Sequence, residues 1–371
     1  MSWGPRGRTP ECDVHSGVFF KINSNINIMD KLITVGLSLS SACVAKCVWC
    51  PANRGTRIKK KFMRLPAVQK IIDEIAGNEE LRTNLVRVKC GENGDALLNP
   101  DFLEILRYIR KVLPEKEIRL HTNFQHVTKE ISDVIVEEFL INKIICNLDG
   151  ADKAHYEAVK KIDYDNVLGN FDYFRQRRGE LQREIYFEIY CLPLKMYAHQ
   201  LSSALGVLPL QATQEQIDAL DDDYHATLRM LIPRCTQLDQ VFCSRVFGWA
   251  EREQFANAKI DYKKHVCPFL RDDQLETEAY IAPDGSWYIC CWDANNENVF
   301  GNVLETSVAE VLYGERRKTM IQLIKDQKFG EIGGPCKTVN CCDMKMSTYE
   351  FEKEFGFYHP EGVVPFIPDS Q

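Results

Sequence analysis

No apolar run in this 371-residue chain approaches the ~18 residues a membrane-spanning helix needs, so no membrane partner is expected. Met1 to Pro10 is polar and carries Gly, Pro and Arg where a secretory leader would carry an apolar stretch, which points to a cytoplasmic protein. Excess positive charge is also missing. The net charge is -7 and the pI is near 5.7, a field unsuited to polyphosphate backbones. Nucleic acid is therefore not an expected partner. The basic stretch Arg57 to Lys61 with Arg64 is the exception, and it reads as a solvated loop face or as an attraction for an anionic substrate group. Internal repeats and low-complexity segments are absent too.

Cysteine, by contrast, is abundant, with fifteen residues. In a reducing compartment that number points to metal or redox chemistry rather than to a disulfide framework. Three of the cysteines stand together as Cys43-Val44-Ala45-Lys46-Cys47-Val48-Trp49-Cys50. A C-x3-C-x2-C set can hold three corners of a four-iron cluster, and because such clusters normally take four Cys ligands, one iron stays open for a substrate or cofactor. A structural zinc site is the alternative. Zinc favours paired C-x2-C elements, often with His, and no His lies within a few residues of this run.

Periodicity describes the remainder. Lys31 to Leu39 reads as a strand, and Pro66 to Ile75 carries Val68, Ile71, Ile72 and Ile75 at helical spacing. Leu85 to Cys90 is a second strand, followed by a Gly-containing loop and a helix from about Pro100 to Val112. Strands at Glu117 to His121, Lys143 to Leu148 and Glu184 to Cys191 follow, each after a helical segment, and a sixth unit pairs a helix at Gln214 to Met230 with a strand at Gln240 to Phe247. This alternation predicts an α/β fold of six parallel βα units, a partial (β/α)6 TIM-like barrel over residues 31–250. Residues 1–30 read as a lead-in and Leu192 to Gln211 as an insertion near the barrel mouth. A small α+β domain is expected over 251–350, with a hairpin reversing at Pro283-Asp284-Gly285-Ser286. Residues 351–371 form a tail.

The cysteine run directly after an apolar strand resembles the signature of the radical S-adenosylmethionine (radical SAM) superfamily. Asn93-Gly94-Asp95-Ala96-Leu97-Leu98-Asn99-Pro100 resembles that family's Gly-Gly-Glu-Pro segment, with Asn93 for the first Gly and Asp95 for Glu. His121-Thr122-Asn123 and Asn147-Leu148-Asp149-Gly150 resemble the segments that face the cofactor. Cys267, Gly285 ahead of Cys290, Gly301-Asn302-Val303-Leu304-Glu305-Thr306-Ser307-Val308, and Cys336 with Cys341 and Cys342 resemble the auxiliary-cluster domains called SPASM or, in shortened form, twitch. The dense C-x2-C-x5-C-x3-C stretch of a full SPASM domain is missing.

The resemblance implies a first four-iron cluster on Cys43, Cys47 and Cys50, and one auxiliary four-iron cluster on Cys267, Cys290, Cys336 and either Cys341 or Cys342. Zinc remains the alternative there. It also implies S-adenosylmethionine held by Trp49, Asn93, Gly94, Asp95 (or Glu92 in its place), Thr122, Asn123, Asn147 and Glu188. Glu188, if it points into the barrel, binds cofactor or substrate; facing outward it would be half of an ion pair. Cys235 and Cys243 are candidate hydrogen donors among the spare thiols. The expected reaction is reductive cleavage of S-adenosylmethionine, then hydrogen abstraction from a small polar metabolite, a sugar or aminocyclitol, which is oxidised or epimerised. An external one-electron reductant such as flavodoxin or ferredoxin is implied. Peptide modification and a non-catalytic electron carrier are the alternatives.

Overall fold

Alternation with period two is what builds the sheet. In the computed structural model, which describes residues 32–47, 50, 61–149, 153–191, 234, 236, 238–243, 267–271, 274–293 and 295–338, the parallel strands are β1 (Thr34–Leu37), β2 (Arg87–Cys90), β3 (Glu117–Thr122), β4 (Lys143–Asn147), β5 (Tyr186–Cys191) and β6 (Asp239–Cys243). Val88, Cys90, Ile118, Leu120, Ile144, Cys146, Phe187 and Ile189 are buried on the helix side. Between them, Lys89, Arg119, Lys143 and Glu188 face the barrel interior, as alternation across a strand requires.

The outer layer consists of α1 (Leu65–Gly77), α2 (Glu79–Asn84), α3 (Phe102–Val112), α4 (Lys129–Glu137), α5 (Lys153–Lys160) and α6 (Tyr164–Glu180). Helix α1 begins with Pro in its first turn, where the missing N–H costs nothing, and buries Val68, Ile71, Ile72 and Ile75. Thr128 and Asp163 cap α4 and α6 through their side chains. Phe124, Phe171, Phe174 and Phe187 pack with ring centroids 5.3–6.2 Å apart under α6. Arg178 fastens α6 to β6 by a bidentate bond to Asp239 at 2.7 and 3.1 Å.

The C-terminal part continues the same sheet. Short helices α7 (Pro268–Arg271) and α8 (Gln274–Thr277) lead into β7 (Glu278–Ile281), β8 (Ser286–Tyr288) and β9 (Val299–Asn302), then α9 (Val308–Leu312), α10 (Glu315–Lys325) and α11 (Gly334–Thr338). The strand order is β6-β5-β4-β3-β2-β1-β7-β8-β9. β7 runs parallel to β1, pairing Thr34 with Glu278 and Leu37 with Ile281, while β7-β8 and β8-β9 are antiparallel. The composition shift expected to separate two units therefore falls inside one nine-stranded sheet. The expected helix at 214–230 and the insertion at 192–211 lie outside the described residues.

Candidate active site

Every βα loop leaves the sheet at the C-terminal ends of the strands, and the cysteine run follows β1 there. The loop is tied down by backbone bonds: Ser41 N–H donates to Lys61 O at 3.0 Å, Lys46 N–H to Lys160 O at 2.9 Å, and Cys50 N–H to Cys47 O at 3.0 Å. From the β2 loop, Asp95 N–H donates to Ala42 O at 2.8 Å. Gly94, at φ 77°, lies so close under the loop that a Cβ would meet Ser40 O at 2.2 Å and Ala42 O at 2.7 Å. Only glycine fits that position.

Burial, with Asp95 as a further contributor, pushes the Cys43 thiol up to about 12. Burial also raises Cys47, against the pull of Lys160. Cluster binding must therefore expel the protons of Cys43 and Cys47. Among the described residues no three His, Cys, Asp or Glu side chains stand in the geometry of a bound metal ion, so the three thiols share one loop without forming a closed ligand set. Trp49 lies outside the described residues.

The neighbouring loops converge on this one. Asn123 Nδ2 donates to Cys43 Sγ at 3.6 Å. Asp95 is buried; its Oδ1 accepts from Leu97 N–H at 3.2 Å, while its Oδ2 has no hydrogen-bond partner. Burial raises its pKa, although the Leu97 amide, His126, Thr122 and Asn123 act the other way. An orphaned, enclosed carboxylate oxygen fits an incoming ammonium, the donor that would offset the cost of burial. Thr122 Oγ1 accepts from Phe124 N–H at 3.2 Å, a turn-stabilising contact. Asn93 Nδ2 donates to Tyr288 Oη at 3.1 Å and so faces the C-terminal hairpin. Asn147 Oδ1 pairs with His121 Nε2 at 3.1 Å.

Below this rim the barrel interior is charged. Lys143 Nζ donates to Glu188 Oε1 at 2.6 Å, Lys89 Nζ to Glu278 Oε2 at 3.1 Å, and Arg119 Nε to Glu117 Oε1 at 2.9 Å. Glu188 thus points inward, yet it is half of an ion pair, a pairing expected only for an outward-facing side chain. Glu92 covers Gly36, 4.0 Å from Lys89. Sequence reasoning missed Lys89, Glu117, Arg119, Lys143 and Glu278 as a set. Their signal was the polar half of the period-two pattern, read only for its apolar half. Cys235 lies outside the described residues, and Cys243 pairs in register with Cys191 at the end of β6.

In the C-terminal part Cys267, Cys290 and Cys336 are all buried. Asp293 accepts from Glu297 and Asn298 N–H at 2.9 and 2.7 Å, shaping the turn after Cys290. Asn298 Nδ2 donates to Gly333 O at 2.8 Å, which brings the start of α11, and with it Cys336, to that turn. Cys291, half-buried beside Cys290, feels Glu92, Lys89 and Glu278 from the barrel side. Cys341 and Cys342 lie outside the described residues.

An open barrel with a three-thiol loop at its C-terminal rim and a second buried thiol set beyond it is an arrangement suited to an iron–sulfur enzyme. The radical SAM superfamily profile matches residues 37–193, and the SPASM iron-sulfur cluster-binding domain profile matches residues 273–343. The chain thus carries a radical SAM domain and a C-terminal SPASM domain, which implies a four-iron cluster in the barrel and an auxiliary cluster beyond it.

Similar solved structures include BtrN in complex with AdoMet and 2-DOIA, at 15% identity and TM-score 0.50 over 83% of this chain and 93% of that one. Native anSMEcpe with bound AdoMet matches at 12% identity and TM-score 0.53 over 78% and 83%. Streptococcus suis SuiB bound to precursor peptide SuiA matches at 13% identity and TM-score 0.51 over 92% and 76%. No curated protein matches this sequence.

Proposed function

We propose that this protein abstracts a hydrogen atom from a small polar metabolite, a sugar or aminocyclitol, and oxidises or epimerises that carbon. The charged barrel interior carries this reading. Three ion pairs, Lys143–Glu188, Lys89–Glu278 and Arg119–Glu117, line the space under the cluster loop. Hydroxyl and amino groups can exchange hydrogen bonds with such a lining, whereas an apolar group would leave it unsatisfied. Structures of this fold include one crystallised with 2-DOIA and one with a precursor peptide, so the fold alone does not choose between a small substrate and a peptide.

When bound, the first cluster and S-adenosylmethionine supply reductive cleavage to methionine and a 5'-deoxyadenosyl radical. The protein's own residues bind, orient and move protons. Cys43, Cys47 and Cys50 would hold the first cluster, and Cys267, Cys290, Cys336 and Cys341 or Cys342 the auxiliary one. Asp95 Oδ2 would take the methionyl ammonium, and Asn147, oriented by His121, a ribose hydroxyl. Glu188, held by the 2.6 Å bond from Lys143 Nζ, would accept a substrate hydroxyl proton. Cys235 and Cys243 remain candidate hydrogen donors for an epimerase. A flavodoxin or ferredoxin would supply the electron.

The test is anaerobic 5'-deoxyadenosine formation with reductant and either a panel of polyols and amino sugars or a panel of short peptides. A polyol or amino sugar should raise product above the uncoupled rate, and Glu188→Gln should abolish that increment while leaving uncoupled cleavage. Stimulation by peptides alone would overturn the small-substrate reading.

A further inference from the structure

Behind the cluster loop lies a charged group that the proposed substrate chemistry does not use. Asp149 follows β4, and Lys160 closes α5. Their side chains meet at 2.7 Å, with Lys160 5% and Asp149 0% exposed, so this is a fully enclosed ion pair. Such a pair is costly to build in a protein interior and is weak support for stability, which calls for another reason for its presence.

Its position supplies one. The backbone carbonyl of Lys160 accepts the Lys46 amide at 2.9 Å, so the end of α5 is joined to the cluster loop one residue before Cys47. The Lys160 ammonium sits 2.7 Å from Asp149 Oδ2 and also interacts electrostatically with Cys47 and Tyr156. Cys47 feels both members of the pair, Lys160 more strongly than Asp149. Tyr156 is 1% exposed, and its hydroxyl makes no hydrogen bond among the described residues. The cluster loop is therefore backed by a buried wall that carries one ammonium, one carboxylate and one phenol.

We infer that Lys160 and Asp149 are a built-in charge pair that sets the reduction potential of the first cluster, the ammonium favouring the reduced state and the carboxylate opposing it. Adding an electron makes a thiolate-ligated cluster more negative. A fixed positive charge close by lowers the energy of that state, and more so where water is excluded. Cluster potentials respond to local charge and solvent exposure in this way. Because Lys160 is the member joined to the cluster loop, through the 2.9 Å bond from Lys46 N–H to its carbonyl, the pair as a whole favours reduction, the step that must precede any cleavage of the cofactor. Lys160 is thus a positioning residue that acts through the cluster. The inference rests on the family assignment and not on the choice of substrate.

The test is a potentiometric EPR titration of the reconstituted full-length protein. The first cluster's signal is identified as the one missing from the Cys43→Ala/Cys47→Ala/Cys50→Ala variant. Lys160→Met should lower the midpoint potential, so that the reduced-to-oxidised ratio at a fixed solution potential falls by roughly tenfold, as expected for one unit charge at close range in a partly screened interior. Asp149→Asn should raise it, and Lys160→Arg should leave it near wild type.

A single variant leaves one charge stranded and can fail to fold, so the double variant Lys160→Met/Asp149→Asn, which strands none, keeps the question open to decision. It should recover the thermal stability lost in the single variants and still show a lowered potential. Movement of both single variants in the same direction, or a wild-type potential in the double variant at roughly four irons per first site, would overturn the proposal. Loss of substrate-stimulated turnover with an unchanged potential would count against it as well, while leaving the substrate reading untouched.

Discussion

His121 shows how one half-buried side chain can couple the barrel interior to the cofactor rim. Burial lowers its pKa from 6.5, Lys160 and Lys89 lower it further, and Asn147 and Glu188 only partly restore it. The imidazole is therefore neutral in the folded state, with Nε2–H free to donate to Asn147 Oδ1 at 3.1 Å. A base with a lowered folded pKa contributes stability that is fully present above its ordinary value of 6.5 and is lost as pH falls through the lowered value. Melting temperature should accordingly decline below about pH 6.5 in the native protein, and His121→Gln should flatten that limb. The same substitution frees Asn147, so the KM for S-adenosylmethionine should rise several-fold while the extent of cluster loading stays unchanged. An unaltered KM would mean that Asn147 does not contact the cofactor.

At the scale of elements, the decisive contact is the passage of the β2 loop beneath the cluster loop. Gly94→Ala combines a positive φ of 77° with a Cβ 2.2 Å from a backbone carbonyl that side-chain motion cannot relieve. Destabilisation of at least about 2 kcal/mol is expected, with iron lost from the first site in step, both measurable by thermal melts and iron analysis. Gly77→Ala, which meets nothing within 4 Å, is the matched control and should be neutral.

This docking was partly legible beforehand. Gly94 and Asp95 stand out in a loop after an apolar strand, and the thiol spacing Cys43, Cys47, Cys50 is local to one loop. Strand positions were also readable, because Val88 and Cys90 or Ile118 and Leu120 alternate with polar residues over a few positions. Lys160 was not legible. It carries no spacing signal, and its partner Asp149 lies eleven positions back across a βα turn, so only the folded chain brings the two together. Charges at the ends of elements find partners through tertiary structure, and no periodicity records that.

For the whole molecule the same reasoning applies to β7. The hairpin around Gly285 is readable from its turn residues, but its pairing with β1, more than two hundred residues earlier, is not. That pairing makes the SPASM part a structural wall of the barrel. Ile33 N–H donates to Thr277 O at 2.8 Å and Ser38 N–H to Ile281 O at 2.9 Å, bracketing the ladder. Glu278 partners Lys89 across the interior at 3.1 Å. Lys70 on α1 donates to Val303 O and Thr306 O at 2.7 and 2.9 Å, and Val308 N–H donates back to Glu74 Oε2 at 2.8 Å.

Removing this part would leave β1 as an unpaired edge and strip partners from Lys89, Asn93 and Lys70, each loss costing about 1 kcal/mol or more where the group stays buried. A chain ending at residue 250 should therefore show helical far-UV circular dichroism without a cooperative near-UV transition, and should aggregate on gel filtration. In the full-length protein, near- and far-UV transitions should coincide as one unfolding step. A residue 1–250 fragment that melts cooperatively at the full-length temperature would instead mean that the barrel is complete without β7, and that its pairing with β1 serves only to place the auxiliary cluster.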